Sequence, residues 1–267
     1  MGNTKSSKSN LNSVFALVLI AAAVLVANTI FYTIMQGHTT VVNGVREPLH
    51  DDILGKMYMG GFIVPFLMSF FMIVIGVAIE RGIALLSANG KKSLSTFVAS
   101  VKAKLSANDI DGAIAECNEQ GGSVGNVTYE VLNRYKAVAG DTGLSKDKKL
   151  DALQKEVEEA TMLELPALEK NLTIVATLAS VSTLFALLGT VIGMIKAFSA
   201  LATTGSPDPA ALSNGISEAL INTALGIFTS ALAIVAYNFF TSKVDDLTHK
   251  IDEVGFAVRQ HFIATGR

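Results

Sequence analysis

Between Asp208 and Lys243 the chain carries one charged residue, Glu218, inside an otherwise apolar run. An ionisable group in a membrane helix costs about 2.5–3.5 kcal/mol on insertion scales, so it is read as functional by default. Glu218 has polar company: Asn222 follows one helical turn on, then Thr223, and the preceding apolar segment carries Thr190 and Lys196. If the fourth span begins at Ala211, Glu218 lies about 10 Å in and Thr223 about 8 Å deeper. Counted back from Leu201, Thr190 reaches a depth similar to that of Thr223. A carboxylate above two hydroxyls can hand on a proton or a cation. Thr190, Glu218, Asn222 and Thr223 are therefore the candidate pathway residues. Lys196, about 8 Å from the end of its span, lies near the depth of Glu218. It either snorkels to the interface or pairs with Glu218 and makes that carboxylate structural; the sequence favours snorkelling.

Small residues surround these groups. Ser182, Ala186, Gly189, Gly193, Ala197 and Ala200 recur at helical spacing on the third span, and Gly215, Gly226, Thr229 and Ala233 on the fourth. Such stripes let membrane helices approach closely, and Gly189, Gly193, Gly215 and Gly226 are read as packing residues.

The elements that must hold these residues are membrane helices. The 267 residues are 50% hydrophobic and 16% charged, against about 25% charged in ordinary globular domains. Four segments are long enough to cross about 30 Å of hydrocarbon: Ser13–Met35, Tyr58–Ile79, Leu172–Leu201 and Ala211–Thr241. The first exceeds the 7–15 apolar residues of a signal peptide and lacks a small-x-small site after it, so it reads as an anchor. Pro65 inside the second span predicts a kink. Beyond the fourth, Phe240, Val244, Leu247, Ile251, Val254 and Val258 alternate spacings of four and three, a heptad-like seam. One rod from Ala211 to Val258 would reach roughly 70 Å. The fold class is an all-α membrane protein, four transmembrane helices with long helices extending into the cytoplasm.

The intervening segment Asn89–Lys170 holds eleven Lys/Arg and thirteen Asp/Glu, with apolar residues at spacings of three and four, hence amphipathic helices. Asn108-Asp109 reads as the cap of a helix over Ile110–Glu119, ended by Gly121-Gly122, and Ser145 as the cap of another through Leu165. Pro166 predicts a kink or a fresh helix start. The N-terminus has two Lys in ten residues and the tail four Lys/Arg, whereas the loop after the first span has two and the 203–209 turn none. The positive-inside rule then puts both termini and the insert in the cytoplasm. The resulting division is 1–36, cytoplasmic tail and first span; 37–57, periplasmic polar loop; 58–86, second span; 87–171, cytoplasmic insert; 172–241, pore hairpin; 242–267, cytoplasmic C-terminal helix.

Other chemistry finds little footing. Cys117 is alone, which excludes intrachain disulfides and CxxC metal sites. His38 and His50 read as solvated loop residues and Glu156, Glu158 and Glu159 as a solvated helix face. With no phosphate loop, metal cluster or Ser/His/Asp set, the chain reads as no enzyme and needs no cofactor. A net charge of -2 argues against nucleic-acid binding.

The runs Leu187-Leu188-Gly189-Thr190-Val191-Ile192-Gly193-Met194 and Gly215-Ile216-Ser217-Glu218-Ala219-Leu220-Ile221-Asn222-Thr223-Ala224-Leu225-Gly226 resemble the MotA/TolQ/ExbB proton-channel family, with ExbB the nearest pattern. The resemblance covers about 172–250 and, more loosely, the Glu80-Arg81 exit of the second span. It implies a bacterial inner-membrane pentamer whose last two helices line a pore holding the helices of an ExbD-like dimer. Proton flow through that pore would drive motion passed by a TonB-like protein to outer-membrane transporters. In the family, positions matching Thr190, Glu218 and Thr223 line the path. This sequence departs from the pattern with Ser182-Thr183 in place of an Ala-Pro pair, with Lys196, and with an additional first span, a count of four that MotA shares. A TolQ-like subunit, a MotA-like stator, or a scaffold in which Lys196 only neutralises Glu218 remain the alternatives.

Overall fold

The computed structural model describes residues 4–42, 45–49, 52–141, 143–202 and 208–265, which leaves His50 and most of the 203–209 turn outside the described residues. Four helices in it are long and apolar enough to cross a membrane: Ala16–Met35, Gly61–Ala88, Leu172–Leu201 and Pro209–Thr265. The chain divides into two compact units, one of Met1–Ile79 with Asn171–Tyr237, the other of Glu80–Lys170 with Asn238–Arg267.

In the first unit, α1 (Thr4–Thr29) loosens into a π-helical stretch over Ile30–Met35. Asn28, Thr29 and Thr33 each donate from the side chain to the carbonyl four residues back, in competition with the backbone ladder. The polar loop expected after this span contains a strand pair: β1 (Thr39–Val42) pairs antiparallel with β2 (Val45–Pro48), Thr39 opposite Pro48. The β-branched run Thr39-Thr40-Val41-Val42 favours that extended backbone. Asp52 caps α2 (Ile53–Met59), its carboxylate accepting the Gly55 N–H at 3.2 Å.

The second span is interrupted where the sequence predicts continuity. After α2 the chain turns at Gly60 and Gly61, makes one 3₁₀ turn over Gly61–Ile63, and starts α3 (Val64–Ala88). Gly61 has φ +75, a left-handed conformation that glycine adopts without strain. Pro65 consequently lies in the first turn of α3, where its missing N–H has no helical partner to lose, and the expected mid-span kink gives way to a helix start. α8 (Leu172–Leu201) runs unbroken through Ser182-Thr183, and α9 (Pro209–Thr265) is one helix of 57 residues. Ala23, Val74, Val77, Val175, Leu178 and Ala233 form one buried cluster joining α1, α3, α8 and α9. Phe31, Met35 and Val64 form another, with Ile221 and Leu225 packed on it and Tyr58 stacked on Phe31 at 4.7 Å.

In the second unit, α4 (Leu94–Ser106), α5 (Ile110–Gln120), α6 (Gly122–Ala139) and α7 (Lys146–Leu168) pack with the end of α9. Every residue of the seam from Phe240 to Val258 is buried. Asp109 caps α5, its Oδ1 accepting the Gly112 N–H at 2.9 Å, and positive φ at Gly121 and Gly122 reverses the chain into α6. Ser145 precedes α7 without a side-chain cap bond. Pro166 does not open a new helix: α7 continues to Leu168 and the backbone turns at Asn171, φ 61. A proline in the last turn removes only one terminal hydrogen bond. The carbonyls left over there are met by Arg81, 2% exposed, whose Nη1 donates to Ala167 O at 3.1 Å and Leu168 O at 3.2 Å while Nε donates to Glu80 at 2.6 Å.

Ion pairs tie the second unit together. Lys92 and Lys104 donate to the buried Glu116 at 2.7 and 3.1 Å, and these bonds hold its carboxyl below the usual range. Lys102 on α4 and Lys250 on α9 both reach Glu253 at 2.7 Å and lower its pKa to about 2. Burial pushes the Cys117 thiol up to about 12, so it is protonated and unreactive at neutral pH.

Candidate functional site

α8 and α9 touch along the small-residue stripes, and the approach is backbone to backbone. A Cβ on Gly193 would lie 2.6 Å from Ala219 N and 2.7 Å from Gly215 O, and one on Gly215 would lie 2.6 Å from Ala197 N. One on Gly226 would lie 2.8 Å from Ser182 O, and one on Gly189 would strike the Asn222 side chain at 2.6 Å. The four glycines thus set the distance across which polar side chains of the two helices meet. Ser230 adds a bond from its hydroxyl to Ala179 O at 2.6 Å.

Within this contact Glu218 is buried, and Lys196 reaches it. The ammonium donates to Oε1 at 2.7 Å and to Oε2 at 2.8 Å, against the snorkelling that the sequence favours. The reason is geometric: the close approach at Gly193 and Gly215 brings the lysine stem within reach of the facing helix. Two charge-assisted hydrogen bonds then outweigh full hydration of the ammonium. Burial is unequal, the Lys196 side chain being 52% exposed and that of Glu218 only 8%.

The two threonines also meet. Thr190 Oγ1 lies 2.5 Å from Thr223 Oγ1, while each hydroxyl sits within reach of a carbonyl four residues back, Ala186 O at 2.9 Å and Ala219 O at 3.0 Å. Three contacts share two hydroxyl hydrogens. At any moment one threonine donates across the helix pair and the other donates to its own helix. Either arrangement satisfies the geometry, so the pair can turn over by rotating its two hydroxyls.

Asn222 has a different place from the one the sequence suggests. Fully buried, it donates from Nδ2 to Gly60 O at 2.9 Å, and its Oδ1 has no hydrogen-bond partner among the described residues. Gly60 and Gly61 are the site residues that the sequence reading passes over. Their signal was a glycine doublet four residues before a proline, the pattern of an interrupted helix. Among the described residues no group of three His, Cys, Asp or Glu is placed to hold a metal ion.

Residues 125–253 match the MotA/TolQ/ExbB proton channel family. The match opens within α6, well before the 172–250 stretch that carries the sequence resemblance. Among curated proteins, the chain is 33% identical over 138 residues to the biopolymer transport protein ExbB of Xanthomonas campestris pv. campestris, covering 49% of this chain and 53% of that one. It is 32% identical over 116 residues to the Tol-Pal system protein TolQ of Pseudomonas aeruginosa (43% and 50%) and 39% identical over 94 residues to TolQ of Haemophilus influenzae (34% and 41%). The chain spans about half the length of the curated relatives it matches.

Proposed function

We propose, from the match of residues 125–253 to the MotA/TolQ/ExbB proton channel family, that the chain is an ExbB-like subunit of a proton-driven motor in the bacterial inner membrane. It assembles as a homopentamer around an ExbD-like dimer and, with a TonB-like protein, uses the proton-motive force to energise outer-membrane transport. Both termini and the 87–171 insert face the cytoplasm, as their content of Lys and Arg favours. One observation carries the reading: buried Glu218 stands about 7.5 Å along α9 from a hydroxyl pair, Thr190 and Thr223, in direct contact. Carboxylate and hydroxyls exchange protons with whatever reaches them, and here they follow one another along a single helix contact. Lys196 is the counter-ion that Glu218 must release when it takes up a proton.

The test is loss of function with assembly intact. Glu218→Gln and Glu218→Ala, produced at normal level in cells lacking the native copy, should lose energised outer-membrane uptake; full activity of both overturns the proton role. Co-purification separates the branches of the family. An ExbD-like and a TonB-like protein support the Ton reading, a TolR-like protein moves the chain to the Tol system, and a motility partner makes it a MotA-like stator. Relatives named both ExbB and TolQ support the shared motor reading on which all three rest.

A second reading has its own support, the two bonds from Lys196 to Glu218. In it the pair only fastens α8 to α9 in a membrane scaffold. Exchanging the charges, Lys196→Glu with Glu218→Lys, preserves the fastening and should preserve function under the scaffold reading; loss of function in a correctly assembled double variant favours the proton role.

A further inference from the structure

Glu218 has a wall that neither α8 nor α9 provides. Gly61, in the break between α2 and α3, comes so near the carboxylate that a Cβ there would lie 2.5 Å from Oε1 and 3.0 Å from the carboxyl carbon. Gly60 is equally constrained, since its Cβ would meet Val64 Cγ2 at 2.5 Å and Ile221 Cγ2 at 2.8 Å. Gly60 is the N-cap of the 3₁₀ turn, and its carbonyl also accepts from Asn222 Nδ2 at 2.9 Å. Residues 218 and 222 are four apart and share one face of α9. That face therefore holds the break twice, by a hydrogen bond at Gly60 and by contact at Gly61.

We propose that Asn222 is a positioning residue for Glu218: by fixing the Gly60 carbonyl it holds Gly61 against the carboxylate and keeps that group turned toward Lys196. The assignment rests on the reading of Glu218 as the site of proton exchange. A second observation supports it. Among the described residues Asn222 Oδ1 is buried without a partner, a penalty that an apolar side chain of the same size would not incur. The amide is thus a poor choice for packing alone, and the bond from Nδ2 is what it supplies.

The experiment uses the full chain in membranes and measures two properties of Glu218: modification by a hydrophobic carbodiimide, mapped by peptide mass, and its infrared carboxylate band, identified by its absence in Glu218→Gln. Asn222→Leu keeps the volume and removes the donor. It should raise modification by about fivefold, the factor that one hydrogen bond of ordinary net strength contributes, and move the band. Thr229→Val, which removes a buried hydroxyl that donates to Leu225 O of its own helix, should leave both unchanged. If Asn222→Leu does not accumulate, Gly61→Ala displaces the same carboxylate from the opposite side and must raise modification in its place. Unchanged modification and an unmoved band overturn the positioning role, whatever Glu218→Gln does to uptake. Raised modification in Asn222→Leu together with full uptake in Glu218→Gln and Glu218→Ala leaves the positioning intact and removes the proton reading instead.

Discussion

Lys196→Met and Glu218→Gln break the same ion pair, yet they should not cost the same. The Lys196 side chain is 52% exposed and the Glu218 side chain 8%. Deleting the lysine strands a buried carboxylate that has lost both of its charge-assisted bonds. Breaking a fully buried pair this way costs about 3–5 kcal/mol, and exposed pairs contribute about 0.2–1 kcal/mol. With one partner half exposed on the surface of the helix pair, the loss for Lys196→Met should be about 2 kcal/mol. Deleting the carboxylate instead leaves an ammonium that can swing outward and rehydrate, so Glu218→Gln should cost only about 0.5–1 kcal/mol. The double variant should be less destabilised than the two singles together, with a coupling of about 1–2 kcal/mol. Reversible unfolding of all four proteins in mixed micelles, by titration with a denaturing detergent, gives the cycle. Equal single costs, or a coupling below about 0.3 kcal/mol, would refute the argument that unequal burial governs this pair.

Gly226→Ala should destabilise the protein by about 1–3 kcal/mol, because the added carbon meets Ser182 O at 2.8 Å, while Gly82→Ala, with open space around it, should be neutral or mildly stabilising in the same unfolding assay. Arg81→Ala leaves the Ala167 and Leu168 carbonyls without their donor and should cost about 2–3 kcal/mol, with hydrogen exchange at the end of α7 accelerated. The depressed pKa of Glu253 contributes stability that is complete above its ordinary value of 4.5 and is lost as pH falls toward about 2; acid unfolding monitored by circular dichroism should therefore begin at lower acidity, that is at higher pH, in Lys102→Met, where one of the two cations is gone. Cys117 should resist maleimide at neutral pH in the native protein and react once the chain is unfolded, as read by mass.

The seam Phe240–Val258 and the small-residue stripes were legible because each is a periodic pattern whose meaning does not depend on distant residues. The Thr190–Thr223 contact was legible through depth, since a short turn makes the two spans antiparallel and equal counting from that turn puts the residues level. Lys196 was misjudged because counting gives depth without azimuth. Whether a lysine points outward or across depends on how near the next helix comes, and four glycines decide that together. Asn222 shows the same limit, for its partner Gly60 lies 162 residues away on another element. Pro65 was read as a kink because the hydropathy of the second span runs straight through Gly60-Gly61 and hides the break, and Pro166 as a kink or a fresh helix start because propensity does not reveal how near a helix is to its end. The pairing of 39–42 with 45–48 was missed because two strands of four residues have too little alternation to stand out in a polar loop.

Two threonine hydroxyls with three contacts and two hydrogens form an element with a memory. In one state the hydrogen between the helices belongs to Thr190, in the other to Thr223, and no third state keeps the short Oγ1–Oγ1 bond. On the proposed proton path, a proton entering from one side and leaving on the other to an acceptor beyond the pair would reverse the polarity of the pair. A second proton travelling the same way then finds every hydrogen bond facing against it until both hydroxyls have rotated back. Transfer through such an element comes one charge at a time, with an obligatory reset between charges. On the proposed proton path the pair would act as an escapement, metering what passes between α8 and α9.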